Sequence, residues 1–422
     1  MNIFDDLSWR GLVHQTSGAD ELREHLSAPG RSMYCGFDPT ARSLHIGNMV
    51  PLLALMRCGL AGHKPIALLG GATGLIGDPS GKDKERQLSS ADQVAAQAER
   101  IKAQILKLFA DNGASIDVVN NLDWIGKLSA IDLLRDVGKH FTVNYMLAKD
   151  SVKGRIDREE SGISYTEFSY MILQAYDFYH LRQTSGTTLQ IGGGDQFGNI
   201  TAGLELIRRK GGQDAHAMTF PLITTASGAK FGKSEKGAIY LDPEMTSPYA
   251  FFQYWMNADD RDVVPYLKYF TFLPHEEIEA LAQAVAERPH LREAQRALAH
   301  VMTTMVHGKD EADSVVKTSE FLFGKGGLEG VALGTLKAAL ESAPGKAYAS
   351  KEAVPDLVTL LTELGLCASK SQARKDLAAG AVYVGNAKVA EGYAFPAEDF
   401  IGGELLLVRK GKKNYGVVRL GE

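Results

Sequence analysis

One helical segment of this chain carries three polar side chains in a row where a buried helix would normally be apolar. The run from Ser164 to Leu181 contains no glycine or proline, and Tyr170, Gln174 and Asp177 fall at positions i, i+4 and i+7. Residues at this spacing share one helix face. A merely solvated polar face would have its apolar residues opposite, whereas here they surround the polar stripe. The pattern therefore favours a helix face that binds a small polar ligand.

A second segment, CGFDPTARSLHIGN at 35–48, joins an apolar strand to a helix through a polar turn at 38–40. The helix pattern begins near Gly47, which puts His45 and the free amides around Asn48 at a helix amino terminus. Phosphate groups bind there because the N–H groups are unpaired and the helix dipole favours negative charge. The alternative is an ordinary strand-turn-helix connection with an incidental histidine.

A glycine-rich segment, GGATGLIGDPSGKDKER at 70–86, follows the next strand. GATGLIG resembles the dinucleotide turn of a short-chain dehydrogenase, and Tyr145 with Lys149 supplies a YxxxK pattern. A dinucleotide turn, however, opens a helix that continues, whereas Asp78-Pro79-Ser80-Gly81 stops one. No acidic residue ends a second strand about twenty residues later. The dehydrogenase is thus a rival, and we favour a loop that presents Asp78 to a ligand.

Cations in this segment and in a later loop suit a polyphosphate. Lys82 and Arg86 follow the glycines, and Lys230 and Lys233 lie three apart in the Ser/Thr/Gly/Lys-rich stretch 222–237. We expect this stretch to be a mobile loop. Lysines on such a loop can grip a polyphosphate and then release it, although a solvated lysine loop is the common alternative.

The stretch LQIGGGDQFGN at 189–199 runs from a strand through bare glycines into a helix. Glycines let a ligand approach the backbone closely, and Asp195 and Gln196 follow the strand's carboxyl end. A tight turn with an aspartate cap is the alternative.

The elements that must position these residues alternate between strand and helix from Arg31 to about Pro221. This alternation predicts a parallel sheet with helices on both faces and ligands at the carboxyl ends of its strands. From Ser247 to about Phe323 the pattern is helical, and 324–350 is rich in glycine. Residues 351–422 contain two helix patterns and a strand-turn-strand signal with Gly385-Asn386 at the turn.

The composition is that of an ordinary globular protein. The chain has 422 residues, 45% hydrophobic and 23% charged, and a net charge of −5, which gives no global reason to expect binding to nucleic acid or membrane. Its three widely spaced cysteines argue against a zinc site and a disulfide framework. No secretion signal or membrane span is visible. We therefore expect a cytoplasmic protein without a bound metal.

Taken together, these segments resemble a class I aminoacyl-tRNA synthetase in order and spacing. HIGN at 45–48 matches the HIGH signature and KFGKS at 230–234 matches KMSKS. With GDPSGKDKER, YMILQAYDF and QIGGGDQFGN, they look specifically like the bacterial tyrosyl-tRNA synthetases over essentially the whole chain. Asn48 replaces the second signature histidine, and Phe231-Gly232 replace Met-Ser.

The resemblance implies a fold and a division of the chain. The fold is α/β, with a Rossmann-like class I catalytic domain, an α-helical domain and a small α+β S4-like domain. The expected boundaries are 1–225 for the catalytic domain, 226–325 for the lysine loop and helical domain, 326–350 for a linker, and 351–422 for the S4-like RNA-binding domain.

The resemblance also implies roles for the matching residues. The implied tyrosine-binding residues are Tyr34, Asp78, Tyr170, Gln174, Asp177 and Gln196. The implied ATP-binding residues are Cys35, Gly36, Asp38, Gly47, Asn48, Gly193, Asp195, Lys233 and Ser234. The implied catalytic residues, which meet the polyphosphate and the leaving pyrophosphate, are Thr40, His45, Lys82, Arg86, Lys230 and Lys233. The implied RNA-binding residues in the tail are Lys370, Arg374, Lys375, Lys410, Lys412 and Lys413.

The implied activity is a tyrosine–tRNA ligase that forms tyrosyl-adenylate from L-tyrosine and ATP and passes tyrosine to tRNA(Tyr). Its family uses Mg²⁺ with ATP, has no tightly bound cofactor and forms homodimers. Asp177 and Tyr34 suit a phenol better than an indole, which disfavours a tryptophan-specific relative. A catalytically inactive RNA-binding module is disfavoured because workable chemistry occupies every expected site position.

Overall fold

The computed structural model describes residues 2–80, 89–149, 152–153, 162–212, 215–226, 228, 231–234, 237–341, 343–411 and 414–421, without the side chains of 233 and 234. The chain forms two compact units. The first comprises Met1–Met245 and Asn257–Leu298, and the second comprises Thr246–Met256 and Ala299–Glu422.

The first unit contains a six-stranded sheet. Its strands are Gln15–Thr16 (β1), Ser32–Phe37 (β2), Lys64–Leu69 (β3), Asp117–Asn120 (β4), Leu189–Gly193 (β5) and His216–Phe220 (β6). Their order is β1-β6-β5-β2-β3-β4, with β1 antiparallel to β6 and the other pairs parallel. The strand order reverses between β2 and β5, and such a reversal is where an open α/β sheet binds its ligand. The predicted parallel sheet is confirmed, with an added antiparallel edge.

Helices of the first unit connect and cover these strands. They are Ile3–Trp9 (α1), Ala19–His25 (α2), Met49–Leu60 (α3), Thr73–Ile76 (α4), Ala91–Asp111 (α5), Leu122–Ile125 (α6), Ala130–Asp132 (α7), Val143–Leu147 (α8), Tyr165–Thr184 (α9) and Phe197–Arg209 (α10). The helix with the polar stripe, α9, begins where the Ser164 side chain accepts from the Glu167 amide, because an N-cap hydroxyl satisfies an otherwise unpaired N–H group. The glycine-rich segment 70–77 opens α4, which has only four residues. A dinucleotide turn requires a helix that continues, so this short helix argues against the dehydrogenase reading.

After β6 come the short strands Lys233–Ser234 (β7) and Gly237–Ala238 (β8), which pair with each other. The following helices are Pro248–Met256 (α11), Asp260–Phe270 (α12), His275–Glu287 (α13), Glu293–His307 (α14), Lys309–Leu322 (α15) and Leu333–Ala339 (α16). The division between the two units falls within α14, after Leu298.

The second unit ends in a small sheet with two helices. Its strands are Gly345–Tyr348 (β9), Val382–Val384 (β10), Ala387–Lys388 (β11), Phe400–Ile401 (β12), Leu405–Lys410 (β13) and Asn414–Leu420 (β14), and its helices are Leu357–Glu363 (α17) and Lys370–Ala378 (α18). The sheet order is β11-β10-β13-β14-β9, with β12 on β13. The predicted strand-turn-strand at Gly385-Asn386 is β10–β11. The stretch 326–350 contains α16 and β9, and β9 pairs with β14.

Among the described residues, no helix has both the length and the apolar character needed to cross a membrane.

Candidate active site

A pocket of about 260 Å³ lies at the carboxyl ends of β2 and β5. This is the position that a parallel sheet offers to ligands. The predicted site residues that line it are Tyr34, Cys35, Gly36, Asp38, Thr40, His45, Asn48, Asp78, Tyr170, Gln174, Asp177, Gly193 and Gln196. The pocket thus brings together residues that are up to 162 positions apart in the chain, from Tyr34 to Gln196.

Asp177 lines the pocket and is 2% exposed. Two side chains from the loop and short helix after β4 donate to its carboxyl group. The Trp124 indole Nε1 lies 2.8 Å from Oδ1, and the Asn121 Nδ2 lies 3.0 Å from Oδ2. Because each oxygen already has a donor, the carboxyl group is held in one orientation. Its remaining acceptor capacity is available to a ligand.

The pKa of Asp177 is raised from 3.8 to about 7, chiefly by burial. The hydrogen bonds from Asn121 and Trp124 oppose this rise, and the nearby Asp38 carboxyl adds to it. Desolvation disfavours the charged form of a carboxyl group. The carboxyl group therefore changes its charge near neutral pH, where a ligand that donates a hydrogen bond would favour the ionised form.

Two buried polar atoms in the pocket wall have no hydrogen-bond partner among the described residues. They are the Tyr34 hydroxyl and the Gln190 side-chain oxygen, on side chains that are 1% and 2% exposed. Tyr34 on β2 and Gln190 on β5 are paired neighbours in the sheet. A buried polar group without a partner costs free energy, so these atoms mark where a polar ligand atom fits.

A network of amides and carboxylates forms another part of the wall. Gln196 donates to Asp78 at 2.7 Å, and Gln174 donates to the Gln196 side-chain oxygen at 3.3 Å. Asn199 donates to the Gln174 side-chain oxygen at 2.9 Å. The Ser80 amide donates to the other oxygen of Asp78 at 2.9 Å, which fixes the carboxylate. The network presents acceptor oxygens suited to an ammonium group.

Asp38 links these two parts of the pocket. Its carboxylate accepts from the Tyr170 hydroxyl at 3.0 Å and from the Thr73 hydroxyl at 2.9 Å. Asn121, which also holds Asp177, donates to the Thr73 oxygen at 3.0 Å. Gly70 makes this arrangement possible, because a Cβ atom there would lie 2.0 Å from an Asp38 carboxylate oxygen. The glycines that suggested a dinucleotide turn thus give room for a carboxylate.

The HIGN segment forms a closed hydrogen-bonded turn at the start of α3. The His45 Nδ1 accepts from the Gly47 amide at 3.0 Å, and the Asn48 side-chain oxygen accepts from the His45 amide at 3.0 Å. A Cβ atom at Gly47 would lie 2.8 Å from the His45 ring, which favours glycine there. Thr40, His45 and Asn48 line the pocket. Asn48 therefore supplies the capping contact at the position where the motif usually has histidine.

Cys35 and Asp195 have different surroundings. Cys35 lines the pocket, and burial raises the pKa of its thiol to about 12. The thiol therefore stays neutral and is unsuited to be a nucleophile. Asp195 instead lines a neighbouring pocket of about 800 Å³ together with Lys149 and Leu222, although Gln196 donates to Asp195 at 3.3 Å.

Comparisons with known proteins agree with this geometry. Residues 29–324 match the family described as tRNA synthetases class I (W and Y), and residues 336–418 match the C-terminal domain of tyrosine–tRNA ligases. The tyrosine–tRNA ligase of Geobacillus kaustophilus is 51% identical to the chain over 99% of the chain and 100% of the relative, and ligase 1 of Bacillus subtilis is 50% identical over 99% of each. This chain belongs to the class I tyrosyl-tRNA synthetases. A solved structure of the C-terminally truncated mitochondrial tyrosyl-tRNA synthetase of Aspergillus nidulans matches 76% of the chain and 94% of its own length, with 33% identity and a TM-score of 0.68.

The resemblance inferred from the motifs is thereby confirmed, and the tyrosine branch is supported by relatives of full length. A tryptophanyl-tRNA synthetase from Encephalitozoon cuniculi has the same fold with 15% identity and a TM-score of 0.56. At that identity the similarity shows the fold alone.

The lysine loop of this synthetase is described in part. Lys82, Arg86 and Lys230 lie outside the described residues, as do the side chains of Lys233 and Ser234. Their predicted roles thus remain predictions.

The described part of the lysine loop is anchored on α12. The Ala226 amide lies 3.0 Å from both carboxylate oxygens of Asp262. The Phe231 ring stacks on Phe270 at 5.1 Å between centroids and meets the Tyr266 ring edge to face at 5.2 Å. Phe231, which departs from the KMSKS motif, therefore attaches the loop to a rigid helix.

The predicted RNA-binding residues that the structure describes lie on α18 and β13. Lys370, Arg374 and Lys375 are exposed, and Lys412 and Lys413 lie outside the described residues. Arg374 pairs with Glu391 at 2.9 Å. Lys410 is partly exposed and pairs with Asp376 at 2.7 Å, so a phosphate there would compete with this ion pair.

Sequence reasoning missed two residues that line the pocket and three that hold its lining residues by hydrogen bonds. They are Thr73, Asn121, Trp124, Gln190 and Asn199. Asn121 directly follows β4, as the predicted polar residues after β2 and β5 follow theirs, so its position was an available signal, whereas Trp124 lies in the next helix. Gln190 lies within a strand between buried apolar residues, and its only sequence signal was a polar side chain in an apolar run.

Proposed function

We propose that this tyrosine–tRNA ligase binds L-tyrosine with the phenol between Asp177 and Tyr34. The observation that carries the proposal is the pairing of an oriented carboxyl group with a buried hydroxyl that has no partner among the described residues. A phenol O–H donates one hydrogen bond and accepts another. It would therefore satisfy Asp177 as acceptor and Tyr34 as donor, whereas phenylalanine would satisfy neither.

The α-ammonium group would lie at the other end of tyrosine, among Asp78, Tyr170 and Gln174. Support comes from the acceptor oxygens of the amide and carboxylate network around Asp78. The Gln196 amide, which donates to Asp78, would then exchange that contact for the substrate. Both ends of the pocket thus select for a free amino acid with a phenol ring.

Activation would occur at the HIGN end of the pocket. A carboxylate oxygen of tyrosine attacks the α-phosphorus of ATP, the bond to the bridging oxygen breaks, and pyrophosphate leaves. Thr40, His45 and Asn48 would contact the phosphates, and the adenosine would lie along Cys35 and Gly193. The residues implied for the leaving pyrophosphate are Lys82, Arg86, Lys230 and Lys233, and Ser234 is implied to bind ATP. Positioning and positive charge suffice for this step, without a protein nucleophile.

Mg²⁺ would enter with ATP. No group of three or more His, Cys, Asp or Glu side chains suited to hold a metal occurs in the described part of the chain. Phosphate oxygens and water are the usual ligands of Mg²⁺ bound with a nucleotide, so the ion would neutralise charge on the phosphates.

The tyrosyl group of this adenylate would then be transferred to tRNA(Tyr). A hydroxyl group of the terminal ribose of tRNA(Tyr) attacks the tyrosyl carbonyl carbon, and AMP leaves. The C-terminal part of the chain would hold the RNA through the exposed cations Lys370, Arg374 and Lys375, since phosphate contacts supply most sequence-independent affinity. The domain boundaries near residues 225, 325 and 350 belong to this proposal.

We also propose that the chain is a homodimer. Six of the twelve exposed large apolar side chains in the described residues fall between positions 122 and 165, namely Leu122, Ile131, Leu134, Val143, Leu147 and Tyr165. Exposed apolar clusters often mark protein interfaces. Sedimentation should give twice the chain mass of 45.7 kDa, and Ile131→Asp with Val143→Asp should give one chain. A monomeric parent protein would refute this part.

The cytoplasm is the proposed location. The three cysteines are free and buried, which suits a reducing compartment, and ATP and tRNA are available there.

The decisive experiment is ATP–pyrophosphate exchange with each of the twenty amino acids. Tyrosine should support exchange in the presence of Mg²⁺, and Asp177→Asn should abolish most of this activity. Asp92→Asn, which changes an exposed carboxylate on α5 outside the pocket, is the matched control. Normal selection of tyrosine by Asp177→Asn would overturn the assignment of the phenol site.

A further inference from the structure

A histidine outside the predicted site contacts the residue that orients Asp177. The His180 imidazole stacks on the Trp124 indole with 4.5 Å between ring centroids and an angle of 16° between planes. The same indole donates to the Asp177 carboxyl group at 2.8 Å. His180 lies three residues after Asp177 on α9, so both side chains project from one side of that helix. The described residues thus form a continuous contact from His180 through Trp124 to Asp177.

Trp124 needs such support because its own backbone element is short. It lies on α6, a helix of four residues, and helices of this length have little stability of their own. The indole also packs against an apolar cluster that includes Tyr34 and Phe178. The cluster and the His180 ring thus both contact the indole whose N–H group donates to Asp177.

We propose that His180 is a positioning residue for tyrosine selection, which acts by holding the Trp124 indole N–H on Asp177. The proposal rests on the proposed role of Asp177 as the acceptor for the substrate phenol. His180 itself does not line the pocket, so its effect would reach the substrate through Trp124.

Electrostatics supports this role. Burial lowers the pKa of His180, so the ring is neutral at pH 7 and stacks without adding a charge near the carboxyl group. The titratable groups that act on or respond to Asp177 are Asp38, Tyr34, Tyr170 and Tyr176. Since the Trp124 hydrogen bond lowers the pKa of Asp177, a loosened indole would let that pKa rise.

The first test compares His180→Ala with His180→Phe in pyrophosphate exchange. An aromatic pair contributes enough beyond its buried area to change an equilibrium about two- to tenfold. His180→Ala should therefore raise the KM for tyrosine about two- to tenfold and leave the KM for ATP unchanged, and His180→Phe should restore the tyrosine KM. The pH below which the tyrosine KM rises should move upward in His180→Ala. An unchanged tyrosine KM in His180→Ala would overturn the proposal.

The matched control is His275→Ala. His275 also stacks on a tryptophan, Trp9, with 3.6 Å between centroids, but it does not line the pocket. Its loss should leave the tyrosine KM unchanged. A similar rise in the tyrosine KM in His180→Ala and His275→Ala would mean that a general loss of packing explains the effect. That result would refute a specific role for His180.

A double-mutant cycle separates positioning from packing. Trp124→Phe keeps a ring for His180 to contact but removes the N–H group. If His180 acts through that group, His180→Ala should have little further effect on the tyrosine KM in the Trp124→Phe background. An undiminished effect there would refute the proposal.

Asp177→Asn tells apart the two possible failures. If Asp177→Asn loses tyrosine selection while all His180 variants behave like the parent protein, the phenol site stands and the role of His180 is wrong. If Asp177→Asn keeps tyrosine selection, the phenol site itself is wrong.

Discussion

Tyr34→Phe should reduce the discrimination between tyrosine and phenylalanine without damaging the fold. The Tyr34 hydroxyl makes no hydrogen bond to another described residue, so its removal breaks no contact of the free protein that the structure describes. With tyrosine bound, one hydrogen bond between neutral groups is lost, worth about 0.5–1.5 kcal/mol. This corresponds to a factor of about 2–12 in kcat/KM.

The loss should be confined to tyrosine. Asp177 keeps its donors Asn121 and Trp124, so the stronger, ionised acceptor for the phenol remains in place. Phenylalanine has no phenol and so loses no hydrogen bond in the variant. The variant also no longer leaves the Tyr34 hydroxyl buried without a partner beside the phenylalanine ring. The kcat/KM for phenylalanine should thus be unchanged or raised.

The assay is pyrophosphate exchange with both amino acids over a range of concentrations, together with thermal unfolding of the free variant. We expect an unchanged or higher melting temperature and a ratio of the two kcat/KM values that falls about 2- to 12-fold. Equal losses for tyrosine and phenylalanine would refute the reasoning, because they would place Tyr34 in a general supporting role.

Asp177, the lysine loop and the cations of α18 can be tested separately. Because the pKa of Asp177 is about 7 and its ionised form is the better acceptor of a hydrogen bond from the phenol, the KM for tyrosine should rise as pH falls below about 7. Asp177→Asn should abolish this dependence, and a flat profile from pH 6 to 8 would contradict it. Phe231→Ala should lower the rate of adenylate formation more than it changes tyrosine binding, since it removes the stack on Phe270, and Phe231→Tyr should restore the rate; single-turnover kinetics would show this, and a change in binding alone would speak against it. Lys370→Ala with Arg374→Ala should raise the KM for tRNA severalfold and leave exchange unchanged, with a weaker salt dependence of tRNA binding; a normal tRNA KM would remove these two residues from the RNA surface.

The strands and helices of the first unit were largely readable from local patterns. The strands expected before the turn at 38–40, before the glycine-rich segment 70–86 and at the start of 189–199 correspond to β2, β3 and β5, and the polar stripe lies on α9 as expected. Local periodicity is sufficient there because each element buries one face or a continuous run. In contrast, β1, β6 and β9 were not predicted. β1 has only two residues and pairs with β6, and β9 acquires its conformation by pairing with β14.

By itself, the sequence determined which side chains would be available and roughly where. Tyr170, Gln174 and Asp177 share a face because of helical spacing. The polar residues that follow β2 and β5 lie at the same edge of the sheet because parallel strands end at one edge. These are local facts, since each depends on one element and its neighbours in the chain. They were sufficient to indicate the chemistry of the pocket.

The tertiary structure decided which of these side chains meet and what orients them. Asn121 and Trp124 come to Asp177 from more than fifty positions away, and Asp38 lies between Thr73 and Tyr170 because Gly70 leaves room for it. Asp195, although adjacent to Gln196, lines another pocket. Such contacts depend on the packing of several elements at once, whereas periodicity and spacing report on one element at a time. The sequence therefore indicated which polar side chains the site contains. The packing of the sheet and helices around the site decided how these side chains are hydrogen-bonded.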